Sequence, residues 1–123
     1  MPIKNDQELV ERAENGLMLL GPERVLAGMP AFKTYKGPND SKGNRYSGCF
    51  LDIIAQSYQL QVNMPWFGLI ENIVSKSTDL DERQKRRDCL FAVTNMFDYN
   101  RENFKKMCID YLNRNGVEYN DNV

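Results

Sequence analysis

The strongest pattern in the sequence is a pair of amphipathic helices in its C-terminal third, between residues 78 and 116. Thr78 and Asp79 can accept hydrogen bonds from the free amides of a helix start, and Glu82 follows Asp79 at the spacing of a capping box. The first helix then carries apolar residues at helical spacing, with Cys89 beside them. These apolar residues are Leu90, Val93, Met96 and Phe97.

A second helix follows a break at residues 98–100, where Asn100 can act as its cap. One face of this helix is apolar at positions i, i+3, i+4, i+7 and i+8. The face consists of Phe104, Met107, Cys108, Tyr111 and Leu112. Asn115 and Gly116 supply a left-handed stop. The pattern predicts an antiparallel pair of helices and a mostly α-helical fold.

The rest of the chain contains further helical patterns. We expect a helix from about residue 5 to Leu20, with Gly16 permitting a close crossing with another helix. A short helix should follow Pro22, which suits a first helical position. Apolar residues also recur at helical spacing in residues 50–58 and 66–74. The sequence therefore predicts a compact bundle of about five helices.

Residues 31–48 differ from the rest because they combine turn-forming residues with basic and aromatic ones. We expect either a basic loop or a small β-hairpin here. Tyr35 and Tyr46 stand among the basic side chains, a mixture that suits phosphate contacts and stacking of nucleic-acid bases. The alternative is a solvated connecting loop. The basic residues are Lys33, Lys36, Lys42 and Arg45.

Length and composition favour one folded domain over residues 1–123, with a flexible tail at 116–123. A hydrophobic fraction of 41% is too high for a disordered chain. No apolar run approaches the roughly 20 residues that span a bilayer, so we expect no membrane segment. The three cysteines lie on or beside predicted apolar faces, which favours reduced, buried thiols and a cytoplasmic location.

The chain contains no histidine, which removes the commonest general base in enzymes. Cys49 falls at a predicted helix start, a position that can lower the pKa of a thiol, but it has no histidine partner. Three scattered thiols and carboxylates also make a poor zinc site. We therefore predict a protein that is not an enzyme, with no catalytic residue, no metal and no cofactor.

Two features are candidates for binding a partner protein. Trp66 and Phe67 are adjacent and point about 100° apart around a helix, so either one of them is in the core and the other partly exposed, or both are buried between helices. The run from Arg83 to Arg87 gathers three arginines near the start of a helix, where they can bind a carboxylate or phosphate or pair with neighbouring acids. The candidate partner-binding residues are Trp66, Phe67, Tyr35, Arg83, Arg86 and Arg87.

Three functions remain open from the sequence, and the third, after the two described next, is an enzyme that works without histidine, through paired carboxylates or a buried lysine. The first is a protein-binding inhibitor or adaptor, and the small size, frequent asparagine and missing enzyme motif are typical of accessory proteins of phages and mobile elements. The alternative is a binder of nucleic acid or a phosphorylated ligand, although a net charge of -1 argues against a general nucleic-acid coat. A second copy of the chain is a further candidate partner. The alternative function would use Lys33, Lys36, Lys42, Arg45, Arg83, Arg86 and Arg87.

Overall fold

The computed structural model describes residues 6–34, 49–58 and 65–120. Every regular element in these ranges is a helix, which confirms the mostly α-helical fold. The helices are α1 (Asp6–Leu20), α2 (Pro22–Gly28), α3 (Ala31–Thr34), α4 (Phe50–Ser57), α5 (Pro65–Val74), α6 (Leu80–Tyr99) and α7 (Arg101–Arg114). The described part of the chain thus has seven helical segments, where the sequence predicted about five.

The main packing partner of α6 is α1, and α7 packs against α6 much less extensively. Gly16 of α1 makes this possible, because a Cβ atom there would lie 2.5 Å from Val93 Cγ2 and 2.6 Å from the Cys89 carbonyl oxygen. The close crossing expected at Gly16 is therefore present. The sequence predicted that the last two helices pack against each other. Only Asn100 separates α6 from α7, and their contact is much smaller than the contact of α6 with α1.

Four phenylalanines from four different helices meet in the core. We call Phe32, Phe50, Phe97 and Phe104 the inner phenylalanine cluster; their ring centroids lie 5.1 to 6.4 Å apart. Three of them have at most 1% of their surface exposed, and Phe32 is partly buried against the others. The cluster ties α3, α4, α6 and α7 together.

The first four residues of the segment 31–48 differ from the predicted loop or hairpin. Ala31–Thr34 is helical, neither extended nor irregular, and the Lys33 amide donates to the Pro30 carbonyl oxygen at 3.0 Å. The helical turn buries Ala31 and places Phe32 between rings of α4, α6 and α7. Residues 35–48, which hold the remainder of the predicted loop or hairpin, lie outside the described residues.

The helix ends differ in detail from the sequence patterns. Asp79 caps α6 as expected, but its carboxylate accepts from the Asp81 amide at 3.3 Å, and Glu82 turns towards Arg86. Asn100 makes no side-chain cap on α7, because its side-chain oxygen accepts from Asn103 Nδ2.

The predicted tail follows a glycine with left-handed geometry. Gly116 has a φ of 82°, a conformation that favours glycine. Beyond it, Val117 and Tyr119 pack against the core. Residues 121–123 of the predicted tail lie outside the described ranges. No helix in the described part of the chain combines the length and apolar character needed to cross a membrane.

Candidate interaction surface

Three aromatic side chains from α5 and α6 form a half-exposed group on the surface, which we call the aromatic patch: Trp66, Phe67 and Phe91. The Trp66 ring packs edge-on to Phe67 at 5.7 Å between centroids and to Phe91 at 6.4 Å. Trp66 is 8% exposed, whereas Phe67 and Phe91 are 42% and 38% exposed. Trp66 therefore forms the floor of the patch and the two phenylalanines form its outer surface.

The local sequence explains this arrangement. Pro65 starts α5, so Trp66 and Phe67 occupy its first turn and point about 100° apart around the helix. Trp66 points towards the core beside Leu69 and Ile70, and Phe67 points outwards. Phe91 sits next to the buried Leu90 on α6 but off the apolar stripe of that helix. Of the two arrangements considered for these adjacent aromatics, one partly exposed or both buried, the structure shows the first.

An ion pair continues the aromatic patch along the seam between α5 and α6. Arg87 Nε and Nη2 donate to the two carboxylate oxygens of Glu71, both at 3.2 Å. Glu71 lies four residues after Phe67, and Arg87 lies four residues before Phe91, so each charged residue shares a helix face with an aromatic one. The hydrogen bonds that Arg87 donates to Glu71 raise the pKa of Arg87. Both side chains keep about a third of their surface exposed, at 34% and 38%.

Arg86 binds a backbone carbonyl in the last turn of α5, and Arg83 binds one in the segment that follows α5. Arg83 Nε donates to the Ser77 carbonyl oxygen at 2.5 Å, and Arg86 Nη1 donates to the Ile73 carbonyl oxygen at 3.0 Å. The carbonyl groups in the last turn of a helix carry partial negative charge, which a cation such as Arg86 stabilises. Arg86 Nε also lies 3.5 Å from Glu82 Oε1. The basic cluster thus joins the start of α6 to the end of α5.

The structure brings three of the residues predicted to bind a partner onto one surface: Trp66, Phe67 and Arg87. Arg83 and Arg86 lie beyond Arg87, towards the start of α6, where Arg86 bonds the last turn of α5 and Arg83 bonds Ser77 in the segment after it. Lys33 is exposed on α3. Tyr35, Lys36, Lys42 and Arg45 lie outside the described residues.

Phe91 was not identified from the sequence. A signal for it exists, because an aromatic residue next to an apolar stripe, but not on it, has no place in the core of its own helix. Glu71 gave no signal, since a lone carboxylate on a helix is most often solvated. Its role depends on the packing of α5 against α6.

Burial raises the pKa of all three thiols. Burial, helped by the nearby charges of Asp52 and Asp98, raises the pKa of Cys49 to about 11 in spite of hydrogen bonds from the backbone amides of Asp52 and Leu51, which lower it. This direction is opposite to the lowering considered for a thiol at a helix start. Burial also raises the pKa of Cys108 and of Cys89. Among the described residues, no three or more cysteines and carboxylates are grouped to hold a metal ion.

Comparisons with protein-family models, with curated proteins and with solved structures gave no significant match to this chain.

Proposed function

We propose that this protein is a non-enzymatic binding module, an inhibitor or adaptor that attaches to another protein through the aromatic patch. The observation that carries the proposal is the exposure of Phe67 and Phe91 on a buried Trp66 floor. Large aromatic side chains that are rigidly supported and partly exposed are enriched where protein interfaces concentrate their binding energy. Folding alone does not require two phenylalanines at the surface.

The ion pair between Arg87 and Glu71 supplies the polar rim of the proposed interface. Interfaces commonly surround an aromatic centre with charged or polar groups that exclude water and set the orientation of the partner. Because the two charges already neutralise each other, a partner need not supply a compensating charge. The proposed partner surface is therefore apolar opposite the phenylalanines and neutral or mixed in charge beside them.

The proposal includes no catalytic step. The chain contains no histidine, and the thiols of Cys49, Cys89 and Cys108 all have raised pKa values. We place the protein in the cytoplasm, where thiols stay reduced, because none of these three cysteines forms a disulfide. A role as an accessory protein of a phage or mobile element is part of the same proposal.

Binding of nucleic acid or a phosphorylated ligand remains the alternative, and no feature of the described residues favours it. Arg83, Arg86 and Arg87 are engaged with the end of α5 and with Glu71. The basic residues of the other segment lie outside the described ranges, apart from Lys33. The experiment below separates the two functions.

The test is site-specific photo-crosslinking in a lysate of the source cells. A photoreactive phenylalanine analogue replaces Phe67, Phe91 or, as the control, Leu80, which is 75% exposed and stands at the start of α6. We expect the same protein to be crosslinked from positions 67 and 91 and not from position 80. The crosslink should survive nuclease treatment and added salt.

Either of two results would overturn the proposal. Equal crosslinking from all three positions would show that the patch has no special role. Capture of nucleic acid, with yields that fall steeply as salt is added, would establish the alternative function.

A further inference from the structure

Two kinds of contact hold α5 in place, and they differ in how closely they fix its position. One face of α5 is apolar and is buried in the core through four aliphatic side chains: Leu69, Ile70, Ile73 and Val74. Burial of apolar surface is favourable in many alignments of two helices, because the hydrophobic effect has no direction. A hydrogen bond, in contrast, is lost when its donor and acceptor move apart by about 1 Å. The hydrogen bonds between α5 and α6 therefore decide how far one helix can slide along the other.

Three arginines within little more than one turn of α6 donate such hydrogen bonds, to α5 and to the segment that follows it. In order along α6, the pairs are Arg83 with Ser77, Arg86 with Ile73 and Arg87 with Glu71. The next contact in this order joins the rings of Phe91 and Trp66. Residue numbers rise along α6 as they fall along α5, so the two helices are antiparallel and all four contacts belong to one alignment. The aromatic patch thus continues a row of contacts that begins with hydrogen bonds.

We propose that Arg83 and Arg86 are positioning residues for the aromatic patch, which fix α5 in the alignment that sets Trp66 beside Phe91. This inference rests on the proposed function and states how that same site keeps its shape. Arg86 acts at a distance from the outer surface of the patch, since Ile73 lies six residues after Phe67, a rise of about 9 Å along α5. Its effect on the patch therefore passes through α5.

The contacts of Arg86 suit this role. Its Nη1 donates to the Ile73 carbonyl oxygen at 3.0 Å, and its Nε lies 3.5 Å from Glu82 Oε1 on its own helix. The side chain is 24% exposed. Hydrogen bonds from a charged donor are stronger than those between neutral groups, and the planar guanidinium fixes their direction. Arg86 is thus oriented from α6 by Glu82 while it bonds the backbone of α5.

Trp66 can report the alignment without any partner. It is the only tryptophan in the chain, it is 8% exposed, and its ring packs against Phe91. A slide of α5 by about 1.5 Å, the rise of one residue, would break the hydrogen bond of Arg86 and loosen the packing of this ring. The indole would then become more accessible to water and to a quencher.

The test measures the fluorescence of Trp66 in the isolated full-length chain. Arg86→Met keeps much of the side-chain stem but removes the donor and the charge, so we expect its emission maximum to move to longer wavelength and quenching by acrylamide to increase. Arg83→Met should shift the emission in the same direction. Arg86→Lys keeps a charged donor and should restore most of the wild-type signal. Far-UV circular dichroism checks that the helices are kept, and Arg83→Met carries the test if Arg86→Met does not fold.

The matched control for a general loss of stability is Val25→Ala. Val25 is fully buried on α2, whose main contacts are with α1, α4 and α7. This variant should lower the unfolding free energy without moving the emission of Trp66. Photo-crosslinking from positions 67 and 91 is then repeated with Arg86→Met in the same chain, where the yield should fall to the level of position 80.

Two results would overturn the proposal. The first is an unchanged Trp66 signal in both methionine variants; a loss of crosslinking beside it would mean that the arginines contact the partner directly. The second is an equal emission shift in Val25→Ala, which would make the effect a general loosening of the core. If the wild-type chain captures no protein from positions 67 and 91, the proposed function fails, whereas the fluorescence still decides whether the arginines set the alignment.

Discussion

The inner phenylalanine cluster and the aromatic patch have similar distances between their rings but differ in how far those rings are exposed to solvent. Ring centroids lie 5.1 to 6.4 Å apart in the cluster and 5.7 and 6.4 Å apart in the patch. The cluster joins four helices and excludes water, whereas the patch joins two helices and leaves two of its three rings more than a third exposed. The rings of the cluster therefore belong to the core that joins the helices, whereas the patch keeps aromatic surface exposed to solvent.

The largest effect should come from removing a ring of the cluster. Phe50→Ala leaves a cavity among rings from three other helices, and such changes cost about 3–5 kcal/mol of unfolding free energy. Urea denaturation of this variant, beside Phe67→Ala as the surface control, measures the contrast. A loss of unfolding free energy below about 1 kcal/mol for Phe50→Ala would show that the cluster stabilises the fold no more than the aromatic patch does.

A smaller loss is expected where the backbone touches the cluster. A Cβ at Gly28 would lie 2.7 Å from Phe50 Cε1 and 2.9 Å from Ile54 Cγ1, and the Phe50 ring is held by its neighbours. Gly28→Ala should cost about 1–3 kcal/mol through overpacking, although alanine is the better helix former.

A double-mutant cycle tests the cause of this loss. Phe50→Leu shortens the side chain, so Gly28→Ala should cost less in its presence than in the wild-type chain. Simple additivity of the two changes would contradict the proposed steric contact.

Phe91→Ala should separate folding from binding. Its ring is 38% exposed and contacts Trp66, so its loss should cost only about 0.5–1 kcal/mol of stability. Crosslinking from position 67, in contrast, should fall sharply. If Phe91→Ala unfolds the protein, the patch is needed for folding as the cluster is. If it leaves the crosslinking yield from position 67 unchanged, the patch does not bind the partner. Either result would contradict the prediction.

The smallest effect is expected at the rim of the patch. Glu71→Gln removes the ion pair with Arg87, and a solvent-screened pair of this kind contributes little to stability, so the loss should be the smallest of the series. The difference from the wild-type chain should shrink as salt is added, because both side chains are partly solvated. A difference that does not depend on salt would mean that packing, and not charge, accounts for the change.

The sequence predicted helices well because their apolar faces repeat along the chain. The starts of α2, α5 and α6 follow from Pro22, Pro65 and Asp79, which act within one helical turn. The sequence did not predict which helices pack against each other. That α6 packs chiefly on α1 depends on the closeness allowed by Gly16, which a one-dimensional pattern signals only weakly.

The candidate surface was predicted in part for the same reason. Trp66 and Phe67 draw attention through their size and adjacency, but Phe91 reaches them only when α5 lies beside α6. The arginines were identified as a charged cluster, and their contacts with the carbonyls of α5 depend on where that helix ends. Partners that are distant in sequence cannot be read from local spacing.

The three thiols are buried to different degrees, so the rates at which they react with a thiol reagent can report local opening of the protein. Cys108 is fully covered, Cys49 is 3% exposed, and Cys89 is only half-buried. A thiol reagent should reach Cys89 through small fluctuations at the surface, whereas Cys49 and Cys108 react only when α4 or α7 opens. The order of the three labelling rates would therefore rank the opening events of the molecule without any engineered label.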